Sequence, residues 1–383
     1  MKVVFRVDAS LQIGSGHVMR CLTLAEALRA RGAQCHFIGR AHPGHLMELI
    51  RHRDFAATIL TAELPSMPHS VLPSMLANTK VSRTQAKTPA HALWLGCDWQ
   101  TDAEQTLAIA EKLQPDWLVI DHYALDHQWE ATLRPHCKNL MVIDDLADRV
   151  HQCDVLLDQN LGREPRDYAS LAPDLCKVIT GPQYALLRPE FAALRAYSLQ
   201  RRQQPAFKRL LITMGGVDQT NATGQVLQAL TGCALPQDCC ITVVMGLQAP
   251  WLEQVRTQAH NMQWPTEVLV NIDNMAQRMA DSDLAIGAAG STAWERCCLG
   301  LPTLMAVLAC NQSAAAAHLF QAGAAFCITL DDNLHRQLTD QTHRLLYEPD
   351  SFNNMSVHAS QITDGIGVER VIAKMQKFSC SSI

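Results

Sequence analysis

The sequence predicts an α/β protein built from two facing, doubly wound domains of the Rossmann type. Short apolar runs alternate with helical patterns in both halves of the chain, and glycine-rich turns follow strands in each half. This alternation lapses once, near the middle, and 383 residues are enough for two full cores. Ligands of such folds bind at the carboxyl ends of the strands, which here face a cleft between the halves.

The alternation assigns each element a position. Predicted strands of the first half are 2–7, 34–38, 57–60, 117–121, 139–143, 154–157 and 177–179, and its helices are 17–31, 43–52, 102–113 and 126–136. Predicted strands of the second half are 208–214, 240–245, 267–270, 283–287, 303–308 and 325–329, and its helices are 221–231, 250–260, 274–281, 291–299, 312–322 and 334–347.

We therefore expect two domains joined by a short connection. The N-terminal domain is predicted at 1–195, and it is interrupted at 61–95 by a proline-rich irregular insertion. A linker is predicted at 196–207, a C-terminal domain at 208–350 and a helical tail at 351–383.

Composition narrows the class of protein. Charged residues make up 18% and apolar residues 48%, and the net charge of −5 gives no reason to expect nucleic acid as a partner. No apolar run approaches the length of a membrane span, so membrane insertion is not expected. Fourteen cysteines without a C-x-x-C pair indicate a reducing compartment, and we expect a cytoplasmic location.

The first candidate site is the turn Gly14-Ser15-Gly16-His17 between the first strand and the first helix. The first N–H groups of a helix attract anions, and its positive end disfavours a second proton on an imidazole, so His17 is a candidate general base. A histidine that only packs the turn is about equally consistent with this position. Arg20 is expected to pair with Asp8, and a phosphate is the alternative partner. The turn lacks the third glycine of the dinucleotide fingerprint, which argues against NAD or FAD.

Two further strands of the first half end in polar residues. Tyr123 follows the strand 117–121 and is a candidate ligand contact, whereas Asp126 and Trp129 are better explained as a helix cap and a packed side chain. Asp144 and Asp145 end the strand 139–143, where paired carboxylates can bind a metal or transfer protons, although a cap or salt bridge is at least as probable.

The second half carries two candidate nucleotide contacts. Gly215 and Gly216 follow a strand directly and allow a phosphate to approach the backbone. Small residues and hydroxyls then precede a helix at Gly290, Ser291 and Thr292, and Glu295 lies one turn further on, where it can accept both hydroxyls of a ribose. The alternative is a tight helix–strand contact with Glu295 on the surface.

Together these blocks resemble the nucleotide-sugar hydrolase family of pseudaminic acid biosynthesis, often called PseG. The resemblance lies in R-V-D-A-S-x-x-I-G-S-G-H-V-M-R-C at 6–21, I-D-H-Y-x-L-D-x-x-W-E at 120–130, V-I-D-D-L-A-D-R at 142–149, M-G-G-V-D-x-x-N at 214–221, G-A-A-G-S-T-A-W-E-R-C at 287–297 and A-C-N-Q at 309–312. That family is related to the MurG-like GT-B glycosyltransferases, so the resemblance implies a GT-B-like fold.

The resemblance also implies an activity, the hydrolysis of UDP-2,4-diacetamido-2,4,6-trideoxy-β-L-altropyranose to UDP and the free sugar, without a metal or other cofactor and with expected inversion. It assigns His17 as the general base. The other implied contacts are Gly14, Gly16, Tyr123, Asn311 and Gln312 to the sugar side, and Gly215, Gly216, Gly290, Ser291, Thr292 and Glu295 to the nucleotide. The alternatives are a GT-B glycosyltransferase that uses a UDP-sugar and a UDP-sugar-binding regulator without turnover.

Overall fold

The framework of the first half is a parallel β-sheet covered by helices on both faces. The computed structural model describes residues 1–61, 89–204 and 207–381. The strands are β1 (Lys2–Val7), β2 (Gln34–Arg40), β3 (Ala56–Leu60), β4 (Trp117–Asp121), β5 (Asn139–Ile143), β6 (Val155–Asp158) and β7 (Lys177–Thr180). The helices are α1 (Gly16–Arg29), α2 (Met47–His52), α3 (Trp99–Leu113), α4 (His127–Leu133) and α5 (Pro189–Arg201). Within the described residues the sheet order is β3-β2-β1-β4-β5-β6-β7.

The second half repeats this design. Its strands are β8 (Arg209–Thr213), β9 (Cys240–Met245), β10 (Thr266–Val270), β11 (Leu284–Ala288), β12 (Thr303–Ala306) and β13 (Phe326–Ile328). Its helices are α6 (Ala222–Leu230), α7 (Leu252–His260), α8 (Met275–Asp281), α9 (Thr292–Cys298), α10 (Ser313–Gln321), α11 (Leu334–Tyr347), α12 (Pro349–Ile362) and α13 (Gly367–Ser381). In the described part of this half the sheet order is β10-β9-β8-β11-β12-β13.

The apolar runs become strands because both faces of each sheet are buried. Val3, Phe5 and Val7 of β1 pack into the core that includes α1, whereas Val4 packs into the core on the opposite face. A strand buried on both faces needs apolar residues at successive positions, which is the pattern of parallel α/β sheets.

Each sheet has one point at which the winding direction reverses. In the first sheet it lies between β1 and β4, where Val7 is in register with Asp121. In the second sheet it lies between β8 and β11, where Thr213 is in register with Gly287. Loops leaving the two strands at such a point diverge and open a crevice, so each half offers a binding position beside these residues.

The predicted fold class is confirmed, since two parallel-sheet α/β domains form from the predicted strands and helices. Some ends differ from the prediction. The helix expected at 43–52 begins at Met47, and the strand expected at 303–308 ends at Ala306.

The residues predicted as a linker at 196–207 are helical as far as Arg201. Two of their polar side chains form hydrogen bonds to the second half instead of facing solvent. Ser198 donates to the Leu299 carbonyl, and the buried guanidinium of Arg202 donates to the carbonyls of Leu299, Ser282 and Met279. This end of α5 is therefore fixed against the second half.

The C-terminal tail divides between the two halves. Phe352 and Met355 of α12 belong to the core of the second half, whereas Val371, Ile372 and Met375 of α13 belong to a core of the first. The chain thus crosses back to the half in which it began.

The expected insertion at 61–95 lies for the most part outside the described residues. Its last part is described, and Ala92–Leu95 form a 3₁₀ turn that leads into α3. Among the residues that the structure describes, no helix is both long enough and apolar enough to cross a bilayer.

Candidate active site

A cavity of about 500 Å³ lies between the two halves, within the size range of small-molecule sites. Its lining includes predicted residues from both halves, namely Gly14, Gly16, Gly215, Gly216, Ser291, Thr292 and Glu295. These residues come from the loops that leave β1, β8 and β11. The cavity therefore lies where the two reversal points of the sheets face each other.

The two halves approach each other closely at this cavity. A Cβ atom built on Gly16 would lie 3.4 Å from Ser291 Oγ, and one built on Gly216 would lie 3.2 Å from Ser15 Oγ. The glycine-rich turn of the first half therefore rests against both glycine-rich turns of the second. The glycines at 16 and 216 leave the room that this contact requires.

The charged side chains that line the cavity include Arg20, Glu48, Arg188 and Glu295. Arg188 Nη2 lies 3.9 Å from Glu295 Oε1, and Arg188 also pairs with Glu190 at 3.0 Å. Burial raises the pKa of the Glu295 carboxyl to about 7, an effect that Arg188 and Arg296 only partly offset. Glu295 can therefore change its protonation state near neutral pH.

His17 lies in the first turn of α1 and points into its own domain. Its Nδ1 lies 2.5 Å from Asp121 Oδ1 at the end of β4. Burial disfavours the charge on Asp121, but Arg20 and His17 hold the pKa of this carboxyl below its usual range. Because an ionised carboxylate only accepts hydrogen bonds, Nδ1 carries the proton in this contact, and Nε2 is left to accept one.

Arg20 fixes the carboxylate that orients His17. Its Nε and Nη2 donate to the two oxygens of Asp121, each at 2.6 Å, and its Nη1 donates to Asp145 at 2.7 Å. The expected pairing of Arg20 with Asp8 is wrong, because Asp8 is engaged by both terminal nitrogens of Arg6. A bidentate arginine–carboxylate contact fixes geometry as well as charge.

Tyr123 contacts both the charged cluster formed by His17, Arg20, Asp121 and Asp145 and a group of aromatic side chains. Its hydroxyl donates to Asp145 at 2.8 Å, and its ring meets the His17 ring edge-on, with centroids 4.6 Å apart. Trp94 stacks on Tyr123 at 5.9 Å, and His91 lies 5.4 Å from it. His91 and Trp94 are not among the predicted site residues, because the sequence shows them only as aromatic side chains at the end of an otherwise irregular segment.

Other predicted residues lie apart from the cavity. Asn311 is exposed, and Gln312 is held by the Leu308 N–H at 3.0 Å on the loop after β12. Neither residue lines the cavity, nor do Gly290, His17 and Tyr123, although Gly16 next to His17 does. The structure thus brings together the predicted nucleotide contacts other than Gly290 and, separately, His17 with Tyr123.

Asp144 and Asp145 are both held by arginines. Asp144 accepts from Arg149 at 2.7 Å and from the Tyr168 hydroxyl at 2.9 Å, and Asp145 accepts from Arg20 and Tyr123. The sequence left open whether these carboxylates form a metal or proton-transfer site or a cap or salt bridge. The structure favours salt bridges that orient other side chains.

The overall architecture is the GT-B fold. The structure superimposes on MurG of Acinetobacter baumannii with a TM-score of 0.66 at 16% identity, covering 98% of this chain and 99% of that one. Residues 210–367 match the glycosyltransferase family 28 C-terminal domain. The protein is therefore a GT-B-fold protein whose second half is similar to that domain.

Two relatives extend the similarity to the first half. The chain is 26% identical over 293 residues to the UDP-2,4-diacetamido-2,4,6-trideoxy-β-L-altropyranose hydrolase of Campylobacter jejuni, covering 76% of this chain and 86% of that protein. It is 24% identical over 309 residues to the uncharacterized protein MJ1062 of Methanocaldococcus jannaschii, covering 80% of this chain. The matched part spans only 55% of that relative.

Proposed function

We propose that this protein is a nucleotide-sugar hydrolase that releases UDP and a free 2,4-diacetamido sugar from UDP-2,4-diacetamido-2,4,6-trideoxy-β-L-altropyranose. The observation that carries the proposal is the His17–Asp121 contact, which leaves Nε2 as a proton acceptor on the residue that follows Gly16, itself part of the lining of the shared cavity. Similarity to the Campylobacter jejuni hydrolase supports the choice of substrate.

The proposed position of the UDP-sugar in the cavity follows from the chemistry of the residues that line it. Glu295 accepts hydrogen bonds from the ribose hydroxyls. The diphosphate lies between the Gly14–Gly16 turn, which opens the 14-residue helix α1, and the hydroxyls of Ser291 and Thr292. The sugar extends towards the His17 and Tyr123 cluster, and small rearrangements of the two halves bring C1 within reach of Nε2.

In the proposed reaction a water molecule attacks the anomeric carbon. His17 Nε2 takes the proton of the water, and Asp121 stabilises the imidazolium that forms. The electrons of the C1–O bond pass to the β-phosphate, so UDP leaves as an anion and the sugar gains a hydroxyl. Direct attack by water inverts the configuration at C1.

A second candidate function is glycosyl transfer. The match of residues 210–367 to a glycosyltransferase family 28 domain favours it, because the same nucleotide site serves a sugar acceptor in place of water. A regulator that binds the UDP-sugar without turnover is the third possibility. Only the hydrolase releases free sugar when no acceptor is present.

The deciding experiment is incubation of the purified protein with the UDP-sugar alone, followed by NMR. We expect equimolar UDP and free 2,4-diacetamido sugar, with the inverted anomer formed first. UDP release that requires an added sugar acceptor would instead identify a transferase. Intact substrate after hours, together with tight binding of UDP, would identify the regulator.

The pKa of Glu295 should make binding of the nucleoside depend on pH. We expect the affinity for uridine to be roughly tenfold lower at about pH 6 than at about pH 8, because the protonated carboxyl cannot accept both ribose hydroxyl protons. Uridine is the suitable probe because, unlike UDP, it has no phosphate that titrates in this range. The Glu295→Gln variant is expected to bind uridine weakly at every pH, as measured by calorimetry.

The pH dependence of folding stability gives an independent test of the raised pKa of Glu295. Since the folded-state pKa of Glu295 lies above its ordinary value, the unliganded protein should lose stability as the pH rises from about 4.5 through about 7. Glu295→Gln should remove that loss, whereas Glu190→Gln, which changes the other glutamate paired with Arg188, should retain it. Identical pH profiles of melting temperature for wild type and Glu295→Gln would contradict the assignment.

A further inference from the structure

Among the residues that the structure describes, no carboxylate forms an ion pair with the buried guanidinium of Arg296, although the neighbouring Glu295 carboxyl is close enough for each group to shift the pKa of the other. Arg296 is 1% exposed, and its Nη2 donates to the Ala288 carbonyl at 2.7 Å while Nη1 donates to Thr292 Oγ1 at 3.1 Å. Its Nε has no hydrogen-bond partner among the described residues. Burial lowers the pKa of Arg296 to about 10, so the guanidinium still carries its charge at neutral pH.

Other buried arginines in the described chain differ from Arg296. Arg6, Arg20 and Arg40 each pair with aspartates. Arg202 has no carboxylate within hydrogen-bond distance, but Nε, Nη1 and Nη2 each donate to a backbone carbonyl. A buried charge that is neither paired nor fully hydrogen-bonded costs free energy, so its presence needs a compensating role.

The guanidinium lies immediately behind the cavity wall. A Cβ atom built on Gly287 would come 2.7 Å from Arg296 Nη1, so the glycine at 287 makes room for the arginine rather than for a ligand. Thr292, which accepts the hydrogen bond from Arg296, lines the cavity, as does Thr213, the register partner of Gly287. A residue of the cavity wall is therefore hydrogen-bonded directly to the positive charge.

We infer that Arg296 is a positioning residue for the diphosphate, whose negative charge complements the buried guanidinium. The Thr292 hydroxyl accepts from Arg296, which leaves its own proton free to point into the cavity and donate to a phosphate oxygen. The charge behind it strengthens that donation in a region of low dielectric. The inference rests on the proposed nucleotide site and adds to it the residue that distinguishes a diphosphate from an uncharged nucleoside.

The test compares UDP with uridine, because only UDP has the charge that Arg296 is inferred to compensate. Calorimetry on Arg296→Met at about pH 8.5 should show roughly 10–100-fold weaker UDP binding, with uridine affinity within about twofold of wild type. A pH well above the pKa of Glu295 is used because Arg296 helps to lower that pKa, so that its removal has little effect on the protonation of Glu295. Arg296→Lys, which keeps the charge but not the planar geometry, should fall between the two. Thr292→Val should also weaken UDP binding. The double variant with Arg296→Met should lose less binding free energy than the sum of the losses of the two single variants, because both residues act through one hydroxyl.

Arg202→Met is the matched control, since it removes a buried arginine of the same half that lies away from the cavity. It should lower the melting temperature and leave the ratio of UDP to uridine affinity unchanged. Arg296→Met should leave the melting temperature of the unliganded protein unchanged or raise it, because an uncompensated charge is removed.

Equal losses of UDP and uridine binding in Arg296→Met, or no loss of either, would overturn the inference. Failure of Arg296→Met to fold would also overturn it, since the arginine would then serve stability. A wild-type protein that binds neither UDP nor uridine would instead refute the proposed function itself.

Discussion

The His17→Ala variant is expected to hydrolyse the UDP-sugar roughly 10²–10⁴-fold more slowly than wild type while it binds UDP with unchanged affinity. The rate falls because Nε2 of His17 is the proposed acceptor of the water's proton. Binding is retained because His17 is not among the residues that line the nucleotide cavity. Initial rates of UDP release and calorimetric titration with UDP measure the two quantities separately.

His36→Asn is the control for this variant. His36 is a half-buried histidine of β2 in the same sheet, and it contacts Thr58 rather than the site. Its replacement should leave the rate of UDP release within a few-fold of wild type. Turnover by a folded His17→Ala protein at the wild-type rate would exclude the base role of His17.

The Asp121→Asn variant should lose roughly 10²–10⁴-fold in rate for a different reason. The carboxylate at 121 holds the proton of His17 on Nδ1 at 2.5 Å, whereas an amide can donate its own N–H to Nδ1. The imidazole would then carry its proton on Nε2, where it cannot accept one from water. The loss should appear in kcat more than in KM, since the nucleotide contacts are unchanged.

The stability of this variant should depend on pH in a defined direction. The pKa of Asp121 is held below its ordinary value in the folded protein, so its contribution to stability is present above about pH 4 and is lost as the pH falls below that value. The difference in unfolding free energy between wild type and Asp121→Asn should therefore be largest near neutral pH and shrink in acid. Denaturant unfolding at several pH values measures it.

Asp144→Asn separates positioning from stability. Asp144 is buried and paired with Arg149, as Asp121 is with Arg20, but it contacts neither His17 nor Arg20. We expect a comparable loss of stability without the loss of kcat. If Asp144→Asn and Asp121→Asn were slowed to the same extent, the His17–Asp121 contact would have no special role.

Much of the architecture follows from periodicity that the sequence displays directly. Strands buried on both faces require continuous apolar runs, so β1 and β4 were predictable to within a residue. The end of α5 was not, because Arg201 and Arg202 look like solvent-exposed linker residues until their carbonyl partners are known. Polarity alone does not distinguish a linker from a helix end whose arginines donate to carbonyls of the other domain.

The candidate site also has features that could be predicted from the sequence and features that could not. Gly16, Gly216 and Glu295 could be assigned to one cavity because loops at the carboxyl ends of parallel strands converge. The pairing of Arg20 with Asp121 could not be predicted, since it joins residues 101 positions apart and depends on the pairing of β1 with β4. Nor could the contact between Gly287 and Arg296, whose guanidinium occupies the space that a side chain at 287 would need.

The return of α13 to the first half has a consequence for the order of events during synthesis. Val371, Ile372 and Met375 help to complete a core whose other buried residues, apart from Val368, come from the first half of the chain, from Val3 to Leu186. The domain that leaves the ribosome first is thus finished last, and until then it exposes the apolar surface that α13 will cover. The second domain, whose core is made of later residues, can close before its predecessor.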